Sequence, residues 1–300
     1  MNRLAVIGHP VAHSRSPAIH AAFAAACGDD VDYQRLPAPL DGFLATAQAF
    51  AREGARGCNV TVPFKQEAFA ACTQLSARAR LAQAVNTIRF DDGDGWYGDN
   101  TDGAGLLRDI VHNAGVPLAG ARVLLVGAGG AAAGSLGPIL DAGPAAVVVV
   151  NRTRPRAEAL VARFAEATGS GLASCPRASD HQGHASRGQE ARPDPSLHAA
   201  DVAHPGPAFD IVINATAASL AGDLPPLPPG TVRPGGLALD MMYGAAARPF
   251  LRWAATQGAT GRDGVGMLVE QAAEAYALWF GHRPPTRDVL ATLRREMDAA

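Results

Sequence analysis

The sequence predicts an α/β protein with two domains, one of them built on a doubly wound parallel sheet. The chain has 300 residues, close to the size at which a single hydrophobic core stops growing, so two domains are favoured. Short runs of branched apolar residues alternate with stretches of helical spacing, which is typical of parallel strands joined by helices. The clearest unit spans 123–150, where strand, glycine-rich turn, helix and strand follow one another.

The composition excludes several classes of protein. Hydrophobic residues make up 48% of the chain and charged residues 18%, as in ordinary globular proteins. A formal net charge of −2 gives no electrostatic reason to expect a nucleic-acid or membrane partner. No apolar run is long enough to cross a bilayer, and the four cysteines are scattered without a C-x-x-C pair. We therefore expect a cytoplasmic protein with reduced thiols, and both a monomer and a homodimer remain open.

In the first third of the chain, polar residues mark the ends of predicted elements. Ser16 precedes Pro17, a pair typical of a helix start with the serine as N-cap. Together with Ser14 it could also bind a carboxylate, although capping alone would explain Ser16. Strands are predicted at 4–8, 31–36, 59–62 and 84–88, and helices at 16–27, 40–53, 64–72 and 104–113.

A lysine follows one predicted strand at a position where the dipole of the next helix disfavours a positive charge. Asn59 and Thr61 alternate with two valines, as in a half-buried strand with one polar face. Lys65 then falls in the first turn of the next helix, where the positive end of the dipole disfavours a cation. A surface lysine is the ordinary explanation, but this position beside a polar strand face hints at function.

The turn after the strand at 123–126 carries a dinucleotide-binding pattern. Gly127, Gly129 and Ala132 form G-x-G-x-x-A, in which the first glycine permits a tight turn and the second lets a pyrophosphate approach the backbone. The helix predicted at 133–140 would present free N–H groups to the phosphates. A lone glycine pattern is weak evidence, but the strands on both sides favour a nucleotide site.

The tip of the following strand, predicted at 147–150, indicates which dinucleotide binds. NAD enzymes usually carry an acidic residue there for the ribose 2′-hydroxyl, whereas this chain has Asn151 followed by Arg152, Arg154 and Arg156. Arginine matches phosphate oxygens with two donors in a fixed plane. We therefore expect NADP, bound by Arg152 and Arg156, and interpret Arg154 as a surface residue.

The region 169–207 is rich in Gly, Ser, Pro, His and Arg and is predicted to be an extended loop or disordered insert. Its histidines have neither a cysteine pair nor a helical frame, so no metal site is expected. Further elements are predicted as a turn at 91–95, a proline-rich loop at 224–234, strands at 209–214 and 237–241, and helices at 157–168, 249–257, 264–280 and 286–297.

Several motifs, taken together and in this order, resemble the shikimate dehydrogenase family. They are Ser14-Arg-Ser16-Pro17, the stretches 59–65, 84–87 and 98–103, the glycine turn at 127–130, Asn151-Arg-Thr153, and the stretches 240–243 and 264–271. Each is short, but jointly they span nearly the whole chain. The resemblance implies NADP-linked interconversion of 3-dehydroshikimate and shikimate, a step toward chorismate and the aromatic amino acids.

The resemblance also implies site residues and a domain organisation. Lys65 and Asp102 would be the catalytic pair. The substrate carboxylate and hydroxyls would be bound by Ser14, Ser16, Asn59, Thr61, Asn86, Tyr243 and Gln271. The cofactor would contact Gly127, Ala128, Gly129, Gly130, Ala131, Asn151, Arg152, Thr153, Arg156, Met241 and Gly264. An N-terminal α/β substrate domain at 1–102, completed by C-terminal helices at 264–300, would flank a Rossmann-like, doubly wound NADP domain at 103–263.

Two alternatives to this activity remain open. Ser16 and the arginines after Asn151 count against a relative that also uses quinate. Lys65 and Asp102 count against a non-enzymatic, NADP-responsive regulator on the same scaffold. The chain departs from the family pattern in the length of 169–207 and in the sequence of 214–219, both within the predicted cofactor domain.

Overall fold

The protein is built on two β-sheets with helices packed against them. The computed structural model describes residues 1–90, 95–169, 195–216, 218–221 and 223–298. Within these ranges each sheet has six strands. One sheet is formed before residue 100 and the other after residue 121.

The first sheet is mixed. Its strands are β1 (Asn2–Gly8), β2 (Val31–Pro37), β3 (Gly57–Val60), β4 (Gln74–Leu75), β5 (Thr87–Phe90) and β6 (Trp96–Asp99), in the spatial order β2-β1-β3-β5-β6-β4. Between them lie α1 (Ser16–Cys27), α2 (Phe43–Arg52), α3 (Lys65–Ala71) and α4 (Ala77–Ala82). Because β1 and β3 are parallel neighbours, their carboxyl ends place the loop before α1 and the start of α3 at one edge of the sheet.

A continuous helical segment leads from the first sheet to the second. It begins as α5 (Asp102–Arg108) and continues as a π-helical turn at Asp109–Asn113. Asp109 is fully buried and forms an ion pair with Arg262, with the closest atoms 2.5 Å apart. This buried pair fixes the end of the segment against the second sheet.

The second sheet is entirely parallel and doubly wound. Its elements are β7 (Arg122–Val126), α6 (Gly130–Asp141), β8 (Ala146–Val150), α7 (Arg154–Gly169), β9 (Ser196–Ala200), β10 (Phe209–Asn214), β11 (Val232–Asp240), α8 (Arg248–Thr256) and β12 (Thr260–Arg262), with 3₁₀ turns at Ala218–Ala221 and Gly244–Ala247. The strand order is β12-β11-β10-β7-β8-β9, so the winding reverses between β7 and β10. Ligands of such sheets bind at this switch point, beyond the carboxyl ends of the strands. The predicted α/β class with a Rossmann-like sheet is confirmed.

The C-terminal helices return to the first sheet. Helix α9 (Val265–Phe280) is buried against Ile19 and Phe23 of α1, and α10 (Arg287–Asp298) adds Leu293 to the same core. Helices α5 and α9 approach closely, since a Cβ on Gly105 would lie 2.5 Å from the backbone nitrogen of Gln271. None of the described helices is long and apolar enough to cross a membrane.

Several predicted elements differ from the structure. The prediction of a loop over 169–207 was wrong in part, because β9 pairs in parallel with β8. β9 is an edge strand with polar and half-exposed residues, so it lacks the apolar pattern that marks the inner strands. Residues 170–194 of that prediction lie outside the described residues, as does most of the predicted turn at 91–95, whereas 201–207 lie in no strand or helix. Strand β11 begins inside the predicted proline-rich loop, and β5 begins three residues later than predicted.

Two local predictions near the predicted substrate site were also wrong. Arg15, not Ser16, is the N-cap of α1, and no side chain caps that helix. Ser16 is instead buried as the first helical residue, and its hydroxyl accepts a hydrogen bond from Ser14 at 3.1 Å. The strand that carries Asn59 is buried throughout rather than half-buried, because Cys58 and Val60 pack in a core with Phe43 of α2, while Trp279 of α9 lies against Gly57.

Candidate active site

Lys65 and Asp102 lie side by side, although 37 residues separate them in the chain. Nζ of Lys65 donates to Oδ2 of Asp102 at 2.6 Å. The side chains are only 20% and 9% exposed, so the pair is shielded from bulk water yet reachable from one side. Lys65 begins α3 and Asp102 begins α5. Lys65 is also the only lysine in the sequence, a signal that was available from composition.

Asn86 and Asn100 fix the Asp102 carboxylate and its backbone. Nδ2 of Asn86 donates to Oδ1 of Asp102 at 2.8 Å, while Oδ1 of Asn100 accepts from the Asp102 backbone N–H at 3.2 Å. Both asparagines are almost fully buried. Each carboxylate oxygen of Asp102 therefore has its own donor, Lys65 on one side and Asn86 on the other, which holds the lysine ammonium in a defined place.

A layer of polar side chains continues from Asn86 toward α9. The hydroxyl of Thr101 lies 3.0 Å from Nδ2 of Asn86 and 3.3 Å from Oε1 of Gln271. The close approach of α5 and α9 brings Gln271 into this layer from the far end of the chain. The structure thus places Asn86, Asp102 and Gln271 together, and adds Thr101, which the sequence analysis did not single out.

A second polar group lies beneath the predicted carboxylate-binding serines. Asn59 donates to Thr87 Oγ1 at 3.0 Å and accepts from the Tyr33 hydroxyl at 2.7 Å. Burial raises the pKa of Tyr33 well above its ordinary value, and a hydrogen-bonding interaction with Ser16 opposes this shift. The phenol therefore stays protonated beside both Asn59 and Ser16. Sequence reasoning missed Tyr33, because it lies on an outer strand with no motif around it.

Two predicted substrate residues stand apart from these networks. Thr61 follows β3 and packs beside Gly8, whose Cβ would lie 2.3 Å from the Thr61 methyl group. Burial raises the pKa of Tyr243, while the charge of nearby Arg15 opposes that shift. Among the described residues, no side-chain hydrogen bond joins Thr61 or Tyr243 to Lys65 or Asp102.

The glycine turn of the second sheet lies directly beside Lys65. Gly127 has φ +117°, which favours glycine, and its N–H donates to the Val150 carbonyl at 2.7 Å. A Cβ on Gly129 would meet nothing within 4 Å, and one on Gly130 would lie 3.9 Å from Cδ of Lys65. The turn with Ala128 and Ala131, at the N-terminus of α6, therefore forms an open cradle suited to a dinucleotide pyrophosphate.

The end of β8 presents exposed basic residues next to this cradle. Asn151 folds back to donate to the Thr153 carbonyl at 2.9 Å. Arg154 pairs with Glu158 at 2.9 Å, whereas no acidic partner faces the exposed Arg152 or Arg156 within the described part of the chain. This agrees with Arg154 as a surface residue and leaves the other two guanidinium groups available to an anion.

A buried network anchors the end of β10, and the next residues, Ala215 and Thr216, lie beside Gly127 of the turn. The Ser219 hydroxyl donates to Asp240 at 2.6 Å and accepts from Nδ2 of Asn214 at 3.1 Å. Asp240 also accepts from the Met242 N–H at 2.9 Å. Burial raises the pKa of Asp240, and these hydrogen bonds oppose the shift. The stretch 214–219, which departs from the family pattern, thus has its first and last residues joined by the hydrogen bond between Asn214 and Ser219.

Met241 and Gly264 meet at the return crossing between the two sheets. A Cβ on Gly264 would lie only 2.2 Å from the Met241 carbonyl oxygen. The Gly264 N–H donates to the Met242 carbonyl at 2.9 Å. Only glycine permits this approach, which sets where α9 starts and hence where Gln271 points.

Three protein-family models match the chain. The model described as shikimate dehydrogenase substrate binding domain matches residues 6–88. The model described as shikimate / quinate 5-dehydrogenase matches 109–175, and that described as shikimate 5′-dehydrogenase C-terminal domain matches 264–294.

Named relatives and solved structures resemble the chain over nearly its full length. A shikimate dehydrogenase (NADP(+)) from Methylibium petroleiphilum is 56% identical, with 100% of this chain and 96% of that protein covered. One from an Acidovorax species is 53% identical, with 98% and 96% covered. The crystal structure of an Ael1 enzyme from Pseudomonas putida has a TM-score of 0.82 at 44% identity, covering 98% of both chains. That of shikimate 5-dehydrogenase from Thermus thermophilus, in complex with NADP(H) and shikimate, has a TM-score of 0.77 at 31% identity, covering 98% and 99%.

Proposed function

Since the chain belongs to the shikimate dehydrogenase family, we propose that it interconverts 3-dehydroshikimate and shikimate with Lys65 and Asp102 as its catalytic pair. It is an NADP-dependent oxidoreductase that acts on a CH–OH group, in the biosynthesis of chorismate and aromatic amino acids. The observation that supports the residue assignment most directly is the Lys65–Asp102 ion pair beside the glycine turn.

Lys65 is assigned as the proton donor to the substrate carbonyl oxygen, and as the acceptor in the reverse direction. NADPH supplies the hydride when bound, which leaves the protein to orient the ketone and to supply a proton. Arginine is the only other strongly basic side chain and does not release its proton in proteins. A chain that uses arginine everywhere else but lysine here is consistent with a position where the proton must move.

Asp102 and Asn86 are assigned to hold Lys65 and one substrate hydroxyl. The Asp102 carboxylate accepts hydrogen bonds from Lys65 and from Asn86. It therefore fixes the position of the Lys65 ammonium and retains lone pairs toward the cleft. General acid–base groups need this control of geometry before their proton affinity matters. Gln271, with Thr101 behind it, adds a polar contact from α9.

The substrate carboxylate is assigned to Ser14 and Ser16 at the start of α1. Their hydroxyls lie 3.1 Å apart, and the helix N-terminus favours an anion. Asn59, Thr61 and Tyr243 complete the contacts to the carboxylate and the remaining hydroxyls.

NADP is assigned to the cradle formed by Gly127, Ala128, Gly129, Gly130 and Ala131, to the β8 end with Asn151, Arg152, Thr153 and Arg156, and to Met241 and Gly264 near the nicotinamide. The open space over Gly129 supports the fit, as does the absence of an acidic partner for Arg152 and Arg156 among the residues that the structure describes. We assign the substrate domain to 1–102 with 264–300 and the cofactor domain to 103–263, because the two sheets and the packing of α9 on α1 follow that division.

The direct test is an assay of the purified protein with shikimate or quinate and with NADP⁺ or NAD⁺, followed by absorbance of the reduced nicotinamide. We expect turnover with shikimate and NADP⁺ and far lower kcat/KM with the other three pairings. Comparable kcat/KM for quinate would indicate a broader enzyme. NADP binding without turnover of either acid would indicate a regulator.

A further inference from the structure

A cluster of three side chains lies where α1 and α9 both end, and none of the three has a role in the proposed reaction. Cys27 is the last residue of α1, Asp29 follows its C-cap, and His282 follows the C-cap of α9. The sequence does not reveal the cluster, because more than 250 residues separate its parts. It contains one thiol, one carboxylate and one imidazole.

The three potential ligand atoms lie within 4.8 Å of one another. Nε2 of His282 is 3.0 Å from Oδ2 of Asp29. In a tetrahedral zinc site with bonds of about 2.0–2.3 Å, ligand atoms stand roughly 3.3–3.7 Å apart. Small side-chain rotations of partly exposed residues would bring the cluster to that spacing.

The surroundings orient two of these side chains as they are oriented in metal sites. Nδ1 of His282 lies 3.2 Å from the Phe280 carbonyl. The carbonyl and the Asp29 carboxylate both only accept hydrogen bonds, so Nδ1–H faces the carbonyl and Nε2 meets Asp29 through a proton that a metal ion would displace. The Tyr276 hydroxyl donates to Oδ2 of Asp29. Metal-bound histidines and carboxylates commonly have such outer partners, which fix tautomer and direction.

The helix ends favour a cation at this place. Both α1 and α9 terminate here, with Gly28 and Gly281 in left-handed conformation at φ +76° and +77°. The carboxyl end of a helix carries partial negative charge, so two such ends lie beside the cluster, which itself includes the Asp29 carboxylate. The His282 side chain is 48% exposed, which leaves one side open to solvent.

From this geometry we propose that Cys27, Asp29 and His282 bind one divalent transition-metal ion of the zinc class, with water as fourth ligand. A mixed sulfur, nitrogen and oxygen donor set suits Zn²⁺ and disfavours Ca²⁺ and Mg²⁺, which prefer oxygen. On binding, the Cys27 thiol and Nε2 of His282 give their protons to solvent, and the thiolate and the imidazole nitrogen bond to the metal. The ion would tie α1, which starts at Ser16, to α9, which carries Gln271.

The test is titration of the purified, reduced full-length protein with Co²⁺, followed by absorbance of the thiolate-to-cobalt charge-transfer band. We expect one Co²⁺ per chain, displaced by Zn²⁺. The band should disappear in Cys27→Ser. In His282→Ala the affinity should fall by at least ten-fold, and in Tyr276→Phe by about ten-fold to a hundred-fold, as for other outer partners. Cys72→Ser, which removes a buried thiol outside the cluster, should bind like wild type.

Two results would overturn the proposal. One is the absence of a charge-transfer band in the folded wild-type protein, and the other is a band that persists unchanged in Cys27→Ser. Thermal unfolding with and without Zn²⁺ provides a second measurement, since a ligand that binds only the native state raises the unfolding temperature. That rise should be absent in His282→Ala. None of these readouts depends on turnover, so they are independent of the reaction proposed above.

Discussion

Replacing Lys65 separates proton transfer from charge pairing at the proposed active site. In Lys65→Ala, Asp102 loses its 2.6 Å partner but keeps the hydrogen bond from Asn86, so the carboxylate stays in place without a proton donor beside it. Loss of a general acid–base group costs roughly 10²–10⁴-fold in rate, or about 3–5 kcal/mol of activation free energy. We expect kcat to fall by that factor, while KM for shikimate rises less than about ten-fold, the worth of one charged hydrogen bond near a partly exposed site.

Lys65→Arg is the matched variant. It retains the positive charge toward Asp102 but supplies a guanidinium that stays protonated at neutral pH and so cannot donate its proton to the substrate. If Lys65 acts only as a counter-ion, Lys65→Arg should recover most of the activity lost in Lys65→Ala. If Lys65 transfers the proton, both variants should show kcat reduced by at least a hundred-fold, with NADP⁺ binding unchanged as evidence of folding.

The assay is steady-state oxidation of shikimate at saturating NADP⁺, with kcat and KM determined separately. Because Lys65 is the only lysine, an amine-acylating reagent offers an independent check, as Lys65 carries the only side-chain amine of this sequence. The reagent should inactivate the wild type, shikimate should protect, and the residual activity of Lys65→Arg should not change. Near-wild-type kcat in Lys65→Ala would refute the assignment of Lys65 as the proton donor.

Three further predictions concern the cofactor, the substrate site and acid stability. Arg152→Ala or Arg156→Ala should raise KM for NADP about ten-fold to a hundred-fold, since charged hydrogen bonds are worth roughly 1.5–3 kcal/mol before exposure is discounted. KM for NAD should hardly change, Arg154→Ala should resemble wild type, and equal losses for both cofactors would make the two arginines structural. Tyr33→Phe, which frees the Asn59 amide oxygen, should raise KM for shikimate several-fold with kcat nearly kept; a fall in kcat alone would contradict a positioning role. Burial lowers the pKa of His20 to about 3. Below about pH 6.5, His20 therefore binds a proton in the unfolded chain but not in the native state. Stability should therefore fall on acidification by up to about 1.4 kcal/mol per pH unit toward pH 3, and His20→Phe should show a shallower fall in unfolding temperature between pH 6.5 and 4.5.

The glycine turn proposed to hold the cofactor could be predicted because its signals are short and sequential. Gly127 adopts a positive φ that favours glycine, and the apolar runs of β7 and β8 are typical of buried strands. The asparagine at 151, in place of an acidic residue, can be read directly from the sequence. Lys65 and Asp102 were predicted through motifs that resemble a family, not through any local signal strong enough by itself.

The sequence by itself determined the parallel sheet, its glycine turn and the expected cofactor, and it predicted the residue types of the candidate site. These features depend on periodicity and on backbone conformations of single residues. Only the tertiary structure decided that Tyr33 lies between Asn59 and Ser16, that β9 pairs with β8, and that Cys27 lies near His282. Such contacts join residues distant in the chain, and they are fixed by how helices and strands pack rather than by any pattern within one element.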